Sequence, residues 1–195
     1  VPPILPMPLE TILAAVAAGA TLVTPNNRLA RRLAAAHDRA RLAGGARTWA
    51  AAQALPWGAW VDGLWHEALA AGAVDARPSL APAAAAYLWR RILATEFPVD
   101  KPRPLDLAAQ AASAWRIVQA WGAGGESWRA WAGGGGEPAR FAGWAERYRA
   151  EVGAVGALDP AALADQLAPA AGAVVAWRTR AIVLAGFVEF APQQL

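Results

Sequence analysis

The two segments of this chain that read most clearly as β-strands lie at its opposite ends, and the text between them is almost entirely helical. Thr21-Leu22-Val23-Thr24 is a short β-type run stopped by Pro25, which cannot donate into a central ladder. Ala181-Ile182-Val183-Leu184-Ala185 is apolar on both faces and bounded by Arg180 and Gly186. Such a run suits a strand buried in a parallel sheet. Pairing these two runs makes a sheet from both ends of the chain, with about six helices inserted between them. Residues 47–56 mark a further short strand only weakly, because alanine dominates the stretch.

Around the first strand the order is helix, strand, polar turn, helix. Leu9, Ile12, Leu13 and Val16 recur at helical spacing and predict a helix over 9–18 that Gly19 stops. Asn26 and Asn27 are good N-cap residues for a second helix over 28–42. Leu29, Leu33 and Ala36 share one face of it, Arg28, Arg31, Arg32 and Arg39 supply positive charge, and Gly44-Gly45 closes it. A strand that turns tightly into a helix is the βα unit of parallel α/β sheets. From Trp57 to about Ala176 the periodicity is helical. Starts are marked by Ser79 with Pro82, Pro104 with Asp106, Glu137 with Pro138, and Asp159-Pro160. The expected organisation is an α/β core over 1–56, a helical insertion over 57–178 and a returning core strand over 179–195.

Residue types that could carry chemistry are few. The chain has no cysteine, hence no disulfide framework and no thiolate metal site. His37 and His66 stand beside Asp38 and Glu67 in predicted amphipathic helices. They read as structural histidines, because a metal site needs a cluster of ligands. Ser79, Ser113 and Ser127 occupy no nucleophile-elbow context. A phosphate-binding loop needs Gly-x-x-x-x-Gly-Lys-Ser/Thr, glycines to let backbone N–H groups close on the phosphates and lysine to neutralise them. That string is missing, and Gly133-Gly134-Gly135-Gly136 has neither the lysine nor a preceding strand; it reads as a linker. No catalytic residue, metal or cofactor is expected.

Eleven tryptophans are the oddest feature. Trp57, Trp60 and Leu64 fall at i, i+3, i+7 and predict one buried face; Trp128 and Trp131 repeat the first spacing. Trp89, Trp115, Trp128 and Trp177 each precede an arginine, and tryptophan stacks nucleic-acid bases well. Neighbours i and i+1 on a helix face different ways, however. The pairs therefore describe an apolar face beside a solvated one, with the tryptophans in the core.

The formal charge of +3, with Lys101 the single lysine, is compatible with nucleic acid without specifying it. No segment approaches the roughly 20 uncharged apolar residues of a spanning helix. The start of the sequence has no signal-peptide pattern. A soluble cytoplasmic protein without a membrane partner is expected. The stretch Thr24-Pro25-Asn26-Asn27-Arg28 places small polar side chains and helix N-terminal N–H groups where a strand ends, a place where phosphate contacts are built. A solvated turn is the alternative reading.

Three strings carry a resemblance. Thr21-Leu-Val-Thr-Pro-Asn-Asn-Arg-Leu-Ala-Arg-Arg-Leu33 resembles the helicase motif that follows the phosphate-binding loop, which in UvrD-like helicases touches single-stranded DNA. Leu55-Pro-Trp-Gly-Ala-Trp-Val-Asp-Gly-Leu-Trp65 is similar to a Leu-Pro-x-x-x-Trp-Leu-x-x-Leu-Trp segment of AddB-like bacterial DNA-repair proteins, which carry a C-terminal nuclease domain of the PD-(D/E)xK type. Ile182-Val-Leu-Ala-Gly-Phe-Val-Glu-Phe-Ala-Pro-Gln-Gln194 resembles that family's Leu-Ala-Gly-Phe-Asp-Glu-Leu-Thr-Pro-Gln-Gln, with Val188 in place of the aspartate. Asp159-Pro160-Ala161-Ala162-Leu163 resembles the start of a late helix in the same helicase domain.

The resemblance implies an α/β, mostly helical fold: a partial RecA-like (P-loop-type) parallel sheet with a helical insertion subdomain, and a fragment of a longer protein. In true helicases the last string continues from an apolar strand into Asp-Glu, with a glutamine nine residues after the Asp. Aligned on Gln194, that pair falls on Ala185 and Gly186, with Glu189 between them and the glutamine. Magnesium and the attacking water need those carboxylates, so the Walker-B-like site is degenerate and an inactivated ATPase follows. The implied function is a non-catalytic module of a DNA repair and recombination helicase-nuclease. It would contact single-stranded DNA through Thr24, Asn26, Asn27 and Arg28, with Arg31 and Arg32 adding charge. The alternative is a helical scaffold that docks an active UvrD- or AddA-like helicase subunit without touching DNA.

Overall fold

In the computed structural model residues 7–97, 107–122 and 133–194 are described. They form two compact units, one of 7–73 with 169–190, the other of 74–97, 107–122, 133–168 and 191–194. The fold is mostly helical with one small parallel sheet.

The first unit holds the sheet. Its strands are β1 (Thr21–Thr24), β2 (Ala54–Pro56) and β3 (Ile182–Leu184), in the order β2-β1-β3, both pairings parallel. The two ends of the chain do pair, and the weakly marked stretch 47–56 supplies the third strand. Three helices accompany them: α1 (Leu9–Ala17), α2 (Asn27–Ala43) and α3 (Trp57–Ala70). Gly19, at φ 97°, ends the first of these. The register sets Leu22, Ala54 and Val183 abreast, so they share a face. On that face Val16 of α1, Leu33 of α2 and Ala185 complete an apolar cluster.

Two expectations change in this unit. A run apolar on both faces predicts a doubly covered strand, yet Ile182 is 41% and Leu184 42% exposed. Among the described residues β3 is an edge, hydrogen-bonded to β1 alone, whereas all four residues of β1 are buried. Apolar character records what a strand can bury, not what lies over it. On α3 the buried face is Val61, Trp65 and Ala68, while Trp57, Trp60 and Leu64 are half-buried. Both sets have helical spacing, so periodicity alone could not choose between two apolar stripes on a helix this rich in tryptophan.

The return to β3 is held by Glu67 of α3. Its carboxylate accepts from Trp177 Nε1 at 2.7 Å and from both terminal nitrogens of Arg180 at 3.1 and 3.0 Å. Partial burial alone would raise this carboxyl, but hydrogen bonds from Arg180 and Trp177, with the Arg180 charge, hold it below the usual carboxylate range.

The second unit is helical. It contains α4 (Pro82–Ala94), α5 (Leu107–Ala120), α6 (Gly136–Ala154), a 3-10 turn at Pro160–Ala162 and α7 (Leu163–Leu167). Trp89, Trp115, Trp144 and Tyr148 form its aromatic core with Leu88, Ile92 and Val152. Trp89 stacks on Tyr148 with centroids 4.5 Å apart, a geometry that adds to the area both rings bury. Arg90 and Arg116, next in sequence to buried tryptophans, are exposed, as expected for an apolar face beside a solvated one.

Asp159 ties this core together. Its carboxylate accepts from the Ala161 N–H, from Trp115 Nε1 and from Tyr148 Oη. Burial raises the Tyr148 phenol, and the Asp159 charge and hydrogen bond raise it further, so it stays protonated and donating. The Asp159-Pro160 start is thus a side-chain cap, on a 3-10 turn. The start marked by Ser79 with Pro82 falls at Pro82, the first residue of α4 after Ala81, while Ser79 lies ahead of the helix in a parallel bridge with Leu158. Gly135, not an acidic residue, precedes α6, and Glu137 pairs with Arg140 inside it. The expected start at Pro104 with Asp106, and the Trp128–Trp131 pair, lie outside the described residues.

Candidate nucleic-acid interface

Parallel strands end on one edge of their sheet, and in this unit two of them run straight into helices there. β1 ends at Thr24, in register with Pro56 at the end of β2. α2 starts three residues after Thr24, and α3 starts immediately after Pro56. The C-terminal edge of a parallel sheet is where open α/β folds place ligands.

The turn is built by its polar side chains. Thr24 is fully buried, and its hydroxyl donates to the Asn26 carbonyl at 2.9 Å, with the Leu55 carbonyl 3.4 Å away. It shapes the turn from below and does not face solvent. Asn26 sits in extended backbone and caps α2, its Oδ1 accepting from the Leu29 N–H at 2.9 Å. The Ala30 N–H bonds to the Asn26 carbonyl. The N–H groups of Asn27 and Arg28 have no acceptor among the described residues, as expected of the first turn of a helix.

Pro25, Asn26, Asn27, Arg28, Arg31 and Arg32 are all exposed. The structure therefore brings Asn26, Asn27 and Arg28 together on the rim, with Arg31 and Arg32 one turn further along α2. Among the described residues none of these three arginines forms an ion pair or hydrogen bond. In the second unit three arginines do have acidic partners. Arg91 pairs with Glu151, Arg140 with Glu137, and Arg147 with Glu96. The shallow depression lined by Arg91, Thr95, Arg147 and Glu151 thus has its positive charge already neutralised.

Ala185, Gly186, Glu189 and Gln194, the residues that the resemblance sets in a Walker-B-like position, are divided between the units. Ala185 is buried in the cluster with Leu22 and Val16, and its N–H closes the ladder on the Val23 carbonyl. Gly186 follows at φ 79°, and a Cβ there would lie 2.2 Å from Leu29 Cδ2. Beyond it Phe187 and Phe190 stack at 5.1 Å, and Glu189 is exposed. Gln194 belongs to the other unit, where its side-chain oxygen accepts from the Ala191 N–H. The neighbouring Gln193 donates to the Ala161 carbonyl and to Asp165.

His37 is buried on α2 with Nδ1 lacking a hydrogen bond, 3.6 Å from Asp38 Oδ1. His66 is exposed, with Nδ1 2.7 Å from the Asp62 carbonyl. Among the described residues no three His, Asp or Glu side chains gather as a metal site, and no helix is long and apolar enough to cross a membrane. Sequence reasoning missed the parts that hold the site in place, Glu67 with Arg180 and Gly186 against Leu29, because both are contacts across more than a hundred residues.

No protein-family model, curated protein or solved structure matches this chain.

Proposed function

We propose that this chain is a non-catalytic, helicase-like module of a bacterial DNA repair and recombination machine of the AddB-like kind, and that it contacts single-stranded DNA. The observation that carries the reading is the rim of the parallel sheet. There an asparagine-capped helix start presents two N–H groups, Asn27 and three arginines that have no acceptor or acidic partner among the described residues. Such a surface suits phosphate oxygens. Asn26, Asn27 and Arg28 are the contact residues in this proposal, Arg31 and Arg32 add charge, and Thr24 sets the turn. In the same reading the sheet is a partial RecA-like core, the second unit derives from its helical insertion, and the whole protein includes a nuclease domain.

The module is proposed to turn over no ATP. Asp-Glu at 185 and 186 would put one carboxylate into an apolar cluster and a side chain onto a backbone at φ 79°. The packing of Ala185 and Gly186 supports a sheet edge rebuilt without metal-binding carboxylates.

One observation favours the second reading, a scaffold that docks an active UvrD- or AddA-like helicase subunit. β3 is an edge strand with Ile182 and Leu184 partly exposed, and Val188 beyond it is 95% exposed. Binding of oligo-dT at low and at raised salt, with Arg28→Ala and Arg31→Ala as comparisons, separates the two. Phosphate contact weakens steeply with salt; apolar docking does not. Absence of binding at low salt, or ATP hydrolysis by the chain, would overturn the proposal.

A further inference from the structure

The rim accounts for only the start of the positive surface. At about 100° per residue, Arg28, Arg32 and Arg39 fall within roughly 40° of one another around α2. All three are exposed. A rise of ~1.5 Å per residue spaces Arg28 and Arg39 about 16 Å apart along the axis. Arg39 donates its Nε to the Ala35 carbonyl at 3.1 Å, which lays the side chain back along the helix toward Arg32. Its two terminal nitrogens have no partner among the described residues. The single acid of α2, Asp38, is engaged elsewhere: Oδ1 accepts from Trp49 Nε1 at 2.8 Å and lies beside His37.

We infer that Arg28, Arg32 and Arg39 form a track for a phosphodiester backbone, so that a bound strand runs along the outer face of α2, away from the sheet edge. This rests on the single-stranded DNA reading and extends it to a path and to a residue, Arg39, outside the turn. A row of guanidinium groups along one helix face matches regularly spaced phosphates. A membrane surface fits less well, because a helix lying in lipid needs a free apolar face. On α2 that side is taken up by the fold, with Ala30 and His37 buried and Leu33 in the sheet cluster.

The test is oligo-dT binding by the whole chain across a series of salt concentrations. Wild type is compared with Arg39→Ala, Arg32→Ala, Arg39→Lys and the second-unit control Arg149→Ala. Each lost phosphate contact lowers the slope of log K against log salt by about 0.7. Arg39→Ala and Arg32→Ala are expected to lose about that much each, Arg39→Lys to retain it, and Arg149→Ala to match wild type. Circular dichroism confirms that α2 persists in each variant. Wild-type binding with an unchanged slope in Arg39→Ala overturns the track and leaves the rim proposal standing. No wild-type binding overturns both. Phosphatidylserine vesicles, run in parallel, overturn the track if their binding, and not that of oligo-dT, depends on Arg39.

Discussion

Gly186 and Glu67 show how single residues decide where the chain can place its returning strand. At φ 79° a side chain at 186 is strained whatever the space around it, and its Cβ would press on Leu29 at the start of α2. Gly186→Ala should therefore destabilise the first unit by about 1–2 kcal/mol, read as a lower urea midpoint; an unchanged midpoint would contradict this. Glu67 acts through charge. Its pKa is depressed in the folded chain, so its contribution is present above the unfolded value of about 4.3 and is lost as pH falls through the lower folded value. Urea titrations should show wild type more stable than Glu67→Gln at neutral pH, with the gap closing on acidification below about pH 4. A gap that is constant with pH would mean that the clamp does not depend on the carboxylate charge.

At the scale of elements, α2 and β3 set the character of the first unit. The Asn26 cap is worth about 1 kcal/mol to α2, and Asn26→Ala should lower stability by that amount while Asn26→Asp does not. Thermal unfolding of the two variants checks it, and equal midpoints would show that the cap is dispensable. β3 offers a contrast between neighbours. Leu184→Asp adds a charge to a half-exposed edge and should cost little. Ala185→Asp buries one in the cluster with Leu22 and should cost at least about 3 kcal/mol. Equal effects would contradict the burial of Ala185.

The strands, the Asn26 cap and the glycine stop at Gly19 were legible because local chemistry specifies them: β-type runs bounded by breakers, a short polar side chain, a positive φ. The exposed edge of β3, the buried stripe of α3 and the Glu67 and Asp159 clamps were not. Each depends on what lies opposite in space, and Glu67 meets Arg180 across 113 residues. Of the site residues, the sequence marks Asn26 to Arg32 as polar and basic. It does not show that Thr24 turns inward, or that Arg28, Arg31 and Arg32 have no acidic partners among the described residues.

On the scale of the whole molecule, acids offset only part of the positive charge. Acids pair with Arg91, Arg140 and Arg147 in the helical unit and with Arg180 in the first, whereas Arg28, Arg32 and Arg39, along one face of α2, have no acidic partner among the described residues. A chain of net charge +3 can thus present a row of basic side chains where β1 of the parallel sheet opens onto the start of α2. Amide hydrogen exchange of the chain with and without oligo-dT at low salt tests this most directly. Slowed exchange over Asn26–Arg32 is predicted, with little change in the second unit. Unaltered exchange there, or protection confined to Ile182–Gly186, would contradict the account and point to the β3 edge as the working surface.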